Sequence, residues 1–181
     1  MPRDSEPEGH GGAALGGVVE DLFLTETFLV KGRTVGKHQR LSKVLEDLER
    51  TYVTVEDATL VALNGREVIR TPRVQIAQRE IVFAHELVDM ASDSSARQLA
   101  ADDKTVRMRA FYAGTLQMEL AGRASPRAYE PSQGPTRRWF VLLEPVIRGL
   151  DVSGREELRV LDNLGYAIVQ KGKPSYVYDF G

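Results

Sequence analysis

One pattern of residues occurs twice along the chain, and it limits the possible folds more than any other feature of the sequence. Four segments of the first half match four segments of the second half in the same order, at offsets of 87 to 90 residues. Ordered matches at a nearly constant offset indicate an internal duplication. The matching pairs are Gly32-Arg33 with Gly122-Arg123, residues 50–56 with 138–144, Gly65-Arg66-Glu67 with Gly154-Arg155-Glu156, and Ile81-Val82 with Ile168-Val169.

Each copy carries the apolar alternation that is typical of short β-strands. A copy of about 65–75 residues with four or five such strands suits a small, strongly bent sheet or barrel. Asn64-Gly65 predicts a hairpin turn because both residues tolerate positive φ, and Pro72 predicts that the following arm is an edge strand or is interrupted. Strands are predicted near 22–30, 51–63, 67–70, 73–77, 81–83, 106–112, 116–120, 139–148, 156–161, 166–170 and 176–180.

The two copies are expected to differ in one short helix. The apolar residues of LSKVLEDLE, positions 41–49, follow the i, i+3, i+4, i+7 spacing of a single helical face. Ser42 lies near the start of this segment and is a candidate cap. The equivalent stretch of the second copy, 130–136, is broken by Pro and Gly, so no helix is expected there.

Composition divides the chain into four parts. Residues 1–20 are rich in Gly, Pro, Glu and Asp and are predicted to form a disordered tail. Residues 89–104, rich in Ala, Ser and Asp, are predicted to link two small β units that span 21–88 and 105–181. The chain has no signal-peptide core, no transmembrane run and no cysteine, so we expect a cytoplasmic protein that does not bind a membrane.

Several residues of the first copy match the plan of a known domain family. In order they give a Gly, then Arg-Leu-Ser-x-x-Leu, then an aromatic strand ending in Asp-Ala, then a last strand with an Ile. In this plan, over approximately residues 24–88, the copy resembles an uncharacterised bacterial domain family of unknown function, and the second copy is a diverged version without the Arg-Leu-Ser helix. The resemblance implies a small β-barrel of Sm-like type and no known activity. The matching residues are Gly32, Arg40, Leu41, Ser42, Leu45, Tyr52, Asp57, Ala58 and Ile81.

Composition and motif content argue against catalysis. The absence of Cys and the presence of only three His leave no thiolate site and little material for a metal cluster or proton relay. The chain also lacks nucleotide-binding and hydrolase motifs. We therefore expect a protein that is not an enzyme and uses no cofactor or metal. The catalytic alternative is that Glu56 and Glu144, at matching positions near the ends of apolar strands, form an acid–base pair.

Basic residues gather in two stretches that form a candidate ligand site. Cationic side chains beside aromatic ones suit phosphates and stacked bases, so a nucleic acid or another phosphate-bearing ligand is an alternative partner. It is not the favoured one, because the net charge is −2 and charged loops commonly serve solubility. The residues are Lys31, Arg33, Lys37, His38, Arg40 and Lys43 in the first copy and Arg123, Arg127, Arg137 and Arg138 in the second, with Tyr129 and Trp139 nearby.

A further alternative concerns cyclic di-GMP. Arg123-Ala-Ser-Pro-Arg127 matches the Arg-x-x-x-Arg element of the PilZ domain, and Asp151-Val-Ser153 matches the start of its second element, so the second copy resembles PilZ at two places. The resemblance implies that two guanidiniums clamp phosphates while Asp and Ser hydrogen-bond a guanine edge. Glu156 stands where that motif has its final Gly, and a carboxylate there would repel an anionic ligand.

The exposed edges of the predicted sheets form the favoured site. Edge strands present unpaired N–H and C=O groups that bind other strands. The C-terminal segment 176–180 alternates aromatic and polar residues. It either pairs with a neighbour or, as we expect, closes its own barrel. Trp139, Tyr176 and Tyr178 are the candidate aromatic contacts. The sequence thus predicts a non-catalytic binding or assembly module that contacts a protein partner or a second copy of itself.

Overall fold

The described part of the chain, in a computed structural model, comprises residues 21–37, 40–88, 104–131, 137–152 and 154–180. These residues form ten strands, one short α-helix and two 3₁₀ helices. The predicted tail, 1–20, and residues 89–103 of the predicted linker lie outside the described residues.

The secondary structure is mainly β, as the alternating sequence pattern predicts. The elements of the first half are β1 Asp21–Thr25, β2 Phe28–Thr34, α1 Leu41–Glu46, β3 Tyr52–Ala62, β4 Val68–Ala77, a 3₁₀ helix Gln78–Glu80 and β5 Ile81–Glu86. Those of the second half are β6 Val106–Ala113, β7 Gln117–Ala124, β8 Trp139–Arg148, a 3₁₀ helix Glu156–Asn163, β9 Tyr166–Gln170 and β10 Tyr176–Asp179.

Four local predictions are wrong. The single strand predicted near 22–30 is two antiparallel strands, β1 and β2, joined by a turn. The segment 156–161, predicted as a strand, forms a 3₁₀ helix, because Leu158 and Leu161 are three residues apart and both turn inward. Helix α1 ends at Glu46, and Leu48 beyond it is 66% exposed. Its N-cap is Arg40, with no side-chain cap hydrogen bond, so Ser42 is not the cap.

All ten strands join one antiparallel sheet, in the order β10-β6-β7-β8-β9-β5-β1-β2-β3-β4. In the first half, β1 to β4 form a meander and β5 returns to pair with β1. In the second half, β6 to β9 form a meander and β10 returns to pair with β6. The halves share this pairing order, and the pairing of β5 with β9 joins them into a continuous sheet.

A glycine at a register shift bends the second strand of each half. Gly32 in β2 and Gly122 in β7 lie where the pairing with the next strand slips. A Cβ on Gly32 would lie 2.6 Å from the backbone oxygen of Glu56, and a Cβ on Gly122 would lie 2.6 Å from that of Leu143. Only glycine allows so close an approach of two strands.

These bends correct the sequence alignment of the two halves. Just after each bend, Asp57 in β3 and Glu144 in β8 adopt the same φ of 49°. Glu144 therefore corresponds to Asp57 and not to Glu56, which is a shift of one residue from the sequence match. The match of Ile81-Val82 with 168–169 is also wrong, because the first pair lies in β5 and the second in β9, which occupy different places in the pairing order.

Two apolar clusters lie on opposite faces of the central strands. The smaller contains Phe23, the inner side of α1 and the bent first half of the sheet. The larger contains Leu22 and Leu24 together with most of the second half. Strand β1 is buried on both faces because its alternate residues enter different clusters. The halves therefore pack against each other along the boundary of β5 and β9, which we call the seam.

We expect Gly122→Ala to destabilise the fold by about 1–3 kcal/mol, because the added methyl would displace the backbone of β8. Gly114→Ala is the matched control, since a Cβ at Gly114 would meet nothing within 4 Å. Urea denaturation followed by circular dichroism measures the difference. Equal midpoints for the two variants would contradict the packing role of Gly122.

Candidate functional site

Lys37, predicted to be part of a basic loop, lies instead in a buried ion cluster. Its Nζ is 2.7 Å from Asp21 Oδ1 and 2.8 Å from Glu86 Oε1, and its side chain is 2% exposed. Burial opposes its charge, but the hydrogen bonds that it donates to Asp21 and Glu86 outweigh this and hold its pKa above the ordinary value. Lys37 is thus enclosed, and the expectation that it meets a ligand is wrong.

The same cluster connects several elements. Asp21 in β1 and Glu86 in β5 are cross-strand neighbours. Glu86 Oε1 accepts a hydrogen bond from the backbone N–H of Leu41 at 2.9 Å, and its Oε2 accepts one from the hydroxyl of Tyr166 at 3.2 Å. Since Tyr166 belongs to β9, the cluster holds β1, β5, α1 and the second half together.

His85, beside this cluster, is buried. Its ring lies edge-on to that of Tyr166, with 4.7 Å between the centroids. Its Nδ1 has no hydrogen-bond partner among the described residues. Burial lowers the pKa of His85 and outweighs the nearby carboxylates of Glu86 and Asp21.

Arg33 and Arg123 occupy the same position in the two halves, one residue after the bend, and both are held by carboxylates. Arg33 Nη2 is 2.9 Å from Glu56 Oε2. Arg123 donates two hydrogen bonds to Glu144, at 3.2 and 3.1 Å. Arg73 in β4 adds a second contact to Glu56 at 2.7 Å. Hydrogen bonds from Arg73 and then Arg33 lower the pKa of Glu56.

This arrangement gives no support to Glu56 and Glu144 as an acid–base pair. Each carboxylate is bound to an arginine of its own half, and a lowered pKa keeps Glu56 ionised, which is unsuited to a proton donor. Within the described ranges, no three His, Asp or Glu side chains are grouped so as to hold a metal ion.

The remaining basic candidates do not converge. Lys31 Nζ donates to the backbone carbonyl of Glu157 at 3.1 Å, and burial is the main cause that lowers its pKa. Arg40 is the N-cap residue of α1. Arg127 lies in a turn, with φ 60°, and contacts Glu130 at 3.2 Å. Among the described residues, Arg123 lines one cavity and Arg137 and Arg138 line another, so the predicted basic residues do not form a single site.

The PilZ resemblance keeps little support in the described residues. Arg123 is occupied by Glu144, and Arg127 by Glu130. Ser153 and His38 lie outside the described residues.

Trp139 and Arg138 reach from the second half into the first. Trp139 is 3% exposed, and its indole N–H donates to the carbonyl of Leu45 at 2.9 Å. Arg138 Nη2 donates to the carbonyl of Asp47 at 3.2 Å and to Gln78 Oε1 at 2.8 Å. They cap the last carbonyls of α1, a helix too short to be stable alone. The prediction that Trp139 is an aromatic contact at an edge is wrong.

Tyr176 and Tyr178 lie on β10, one end of the sheet. Their side chains are 69% and 41% exposed, and Phe180 beside them is 54% exposed. Tyr178 stacks on Phe111 with 6.0 Å between centroids and meets Phe180 edge-on at 5.2 Å. The C-terminal segment pairs with β6 of its own half, but β10 is an end of the sheet and does not close a barrel as predicted. Its aromatic side chains form an exposed patch.

The other end of the sheet is β4. The first part of β4 contains Arg70, Pro72 and Arg73, features that protect edges from pairing. Its last part, 74–77, has the sequence Val-Gln-Ile-Ala, without charge or proline. The alternation and Pro72 in the sequence mark β4 as an edge, but only the sheet order shows that β4 and β10 are its two ends.

Comparisons with models of known protein families, with curated proteins and with solved structures found no significant match. Within the described residues, no helix has the length and apolar content needed to cross a bilayer.

We expect Lys37→Met to destabilise the fold by about 3–5 kcal/mol, because it leaves two carboxylates buried without a counter-charge. Lys43→Met, at an exposed position of α1, is the control and should change stability by less than about 0.5 kcal/mol. Urea denaturation measures both. A Lys37→Met variant as stable as the control would refute the structural role of the ion cluster.

A second prediction concerns pH. Because the pKa of His85 is lower in the folded chain than its ordinary value of 6.5, the unfolded chain binds a proton first as the pH falls. Stability that is present above pH 6.5 should therefore be lost as the pH falls through that value toward the folded pKa. We expect His85→Phe to lose less stability than the wild type between about pH 7.5 and about pH 5. Parallel pH profiles of unfolding would exclude this contribution.

Proposed function

We propose that the chain is a non-catalytic assembly module that binds protein strands through the two ends of its sheet, with a second copy of itself as the partner. The feature that carries this proposal is the seam. There, the last strand of one half's meander, β9, pairs with the returning strand of the other half, β5. The strands at the two ends of the sheet are their equivalents, since β4 corresponds to β9 and β10 corresponds to β5 in the shared pairing order.

The proposal includes an ancestral tandem of two Sm-like units. It is supported by the shared pairing order, by the glycine at the bend of each second strand and by the equal backbone angles of Asp57 and Glu144. The two units are joined by β5 of one and β9 of the other. Within the described part of the chain, the equivalent strands, β10 of the second unit and β4 of the first, remain unpaired on their outer sides. Repeating that junction between copies gives head-to-tail association.

The seam also supplies a register. Phe83 pairs with Val169 and Ala84 with Ile168 across the seam. Counted from the glycine bends, Ala84 in β5 corresponds to Val177 in β10, because their partners Phe23 and Ala110 occupy equal positions in β1 and β6.

The fourth strands are aligned in the same way. Val53 and Phe140 each lie four residues before the positive-φ acid, and they pair with Ile76 and Val169 respectively. Gln75 therefore corresponds to Ile168. The seam pairing carried over to two copies places Val177 opposite Gln75 of the next chain, and Tyr176 opposite Ile76.

The chemistry of the two edges agrees with this register. The uncharged stretch 74–77 of β4 is the part that would pair, whereas Arg70, Pro72 and Arg73 protect the rest. Tyr176 and Tyr178 on β10 offer large side chains for cross-strand contacts. An antiparallel pair of this kind uses backbone groups that water otherwise satisfies.

The alternatives have weaker support. Of the basic residues named for a phosphate or cyclic di-GMP site, Arg33, Arg123 and Arg127 contact carboxylates and Lys37 is buried. The two carboxylates named for an enzyme, Glu56 and Glu144, are each bound by an arginine. These partners weaken the case for a phosphate-bearing ligand at Arg33, Lys37, Arg123 and Arg127.

Engineered cysteines test the register, since the chain has no natural cysteine. When Gln75→Cys and Val177→Cys chains are mixed and oxidised, we expect a disulfide-linked heterodimer, because antiparallel neighbours lie within disulfide distance. The measurement is non-reducing electrophoresis with mass spectrometry, beside light scattering of the wild-type chain after size exclusion.

The matched control is Ile69→Cys with Val177→Cys, which uses the same two strands with a position six residues away along β4. Selective linkage of the 75/177 pair and an oligomeric wild type would support the proposal. The proposal would be refuted if the wild type is monomeric at the highest soluble concentration, or if both cysteine pairs link equally. The sheet edges would then be candidate sites for a different protein partner.

A further inference from the structure

A cavity of about 620 Å³ lies where the 3₁₀ helix Gln78–Glu80 of the first half faces the turn after β9. This volume is within the usual range of small-molecule sites. Five cationic side chains line it, and none of the lining residues in the described part of the chain carries a carboxylate. The five are Arg79, Arg137, Arg138, Lys171 and Lys173. In a chain of net charge −2, this is a strong local excess of positive charge.

Two of the five cations are paired with acidic side chains that do not line the cavity. Lys173 Nζ is 3.0 Å from Glu26 Oε1 and 3.8 Å from Glu80 Oε2. Arg79 Nε is 3.0 Å from Glu80 Oε1. The charges of these two side chains are therefore already paired.

The other three have only neutral partners among the described residues. Lys171 Nζ donates to the carbonyl of Glu130 at 3.1 Å. Arg138 donates to the amide oxygen of Gln78 and to backbone carbonyls, and its Nε is buried without a partner. Arg137 is exposed at the mouth and makes no ion pair within the described ranges. Among the described residues, none of these three positive charges forms an ion pair with a carboxylate.

The pKa of Lys171 is lower than its ordinary value. Burial lowers its pKa, and the positive charge of Arg137 lowers it further, against the weaker effect of Glu46. The effect of Arg137 means that the two cations are close enough to repel each other. An anion between them would remove this repulsion and gain charge-assisted hydrogen bonds.

The geometry points to a binding site in this cavity for a phosphate-bearing small molecule, with Arg137 and Lys171 holding the phosphates and Arg138 at the back of the site. Tyr129 and Pro131 line the same cavity and provide an apolar wall. Tyr129 is fixed by its hydroxyl, which contacts Asp179 Oδ2 at 3.2 Å. Such a wall suits the ring of a nucleotide, whereas inorganic polyphosphate would use the cations alone. The shared chemistry is the multiply charged phosphate chain.

Isothermal titration calorimetry with tripolyphosphate and with ATP tests the site. We expect at least one of them to bind, more weakly as the salt concentration rises. Arg137→Gln and Lys171→Gln should each weaken binding by about tenfold or more, since a charge-assisted hydrogen bond is lost. Arg66→Gln, which removes the same charge from the exposed hairpin turn, should leave binding unchanged.

The ligands also separate the two sources of phosphate. Tighter binding of ATP than of tripolyphosphate identifies a nucleotide site, and equal binding identifies a polyphosphate site; both support the inference. Thermal unfolding of each variant shows that it is folded. The inference is overturned if neither ligand binds, if the two cavity variants bind as the wild type does, or if only a single-stranded oligonucleotide binds.

Discussion

The interaction on which the rest of the structure depends is the buried contact of Lys37 with Asp21 and Glu86. It joins the returning strand β5 to β1, with the lysine supplied by the chain just beyond β2. Burying three charges is unfavourable unless each is paired in good geometry, so a one-residue slip of β5 would leave the carboxylates uncompensated. The cluster thereby fixes the register of the strand that later meets β9. Tyr166 extends the same network across the seam, and the two halves share it.

The register of β5 determines how β5 pairs with β9 at the seam. That pairing in turn determines which strands are left as the exposed edges of the sheet. The outer edge of β5 is covered by β9, and the face of β1 and β5 away from α1 is covered by the larger apolar cluster. The sheet then has two ends, β4 and β10, related to each other as β9 is to β5. Protection of β4 by Pro72 and its neighbouring arginines stops at residue 74, where the pairing derived from the seam begins.

The sequence predicts the strands well because alternation is a local signal, and most strand positions agree with the structure to within a few residues. It does not reveal the roles of Lys37 or Trp139. Lys37 looks like a loop cation because its partners lie 16 residues before it and 49 after it, so only the fold unites them. Trp139 looks like an exposed strand aromatic because its acceptor, Leu45, belongs to the other half. Three residues of the cavity, Tyr129, Arg137 and Arg138, were candidates from the sequence, but Lys171 was not, because it belongs to a separate segment that only the fold brings beside them.

The largest difference between the halves lies in the connection from the second strand to the third. In the first half it is α1, which buries Leu41 and Leu45 and fills the space beside the sheet. In the second half the same connection has no helix in its described part, and its ends, at Pro131 and Arg137, line the cavity instead. Arg138 contacts both the helix and the cavity, because its guanidinium caps the end of α1 and its side chain also lines the cavity. In the described part of the chain, the cavity thus lies at the connection without a described helix, whereas α1 packs beside the sheet at the matching connection of the first half.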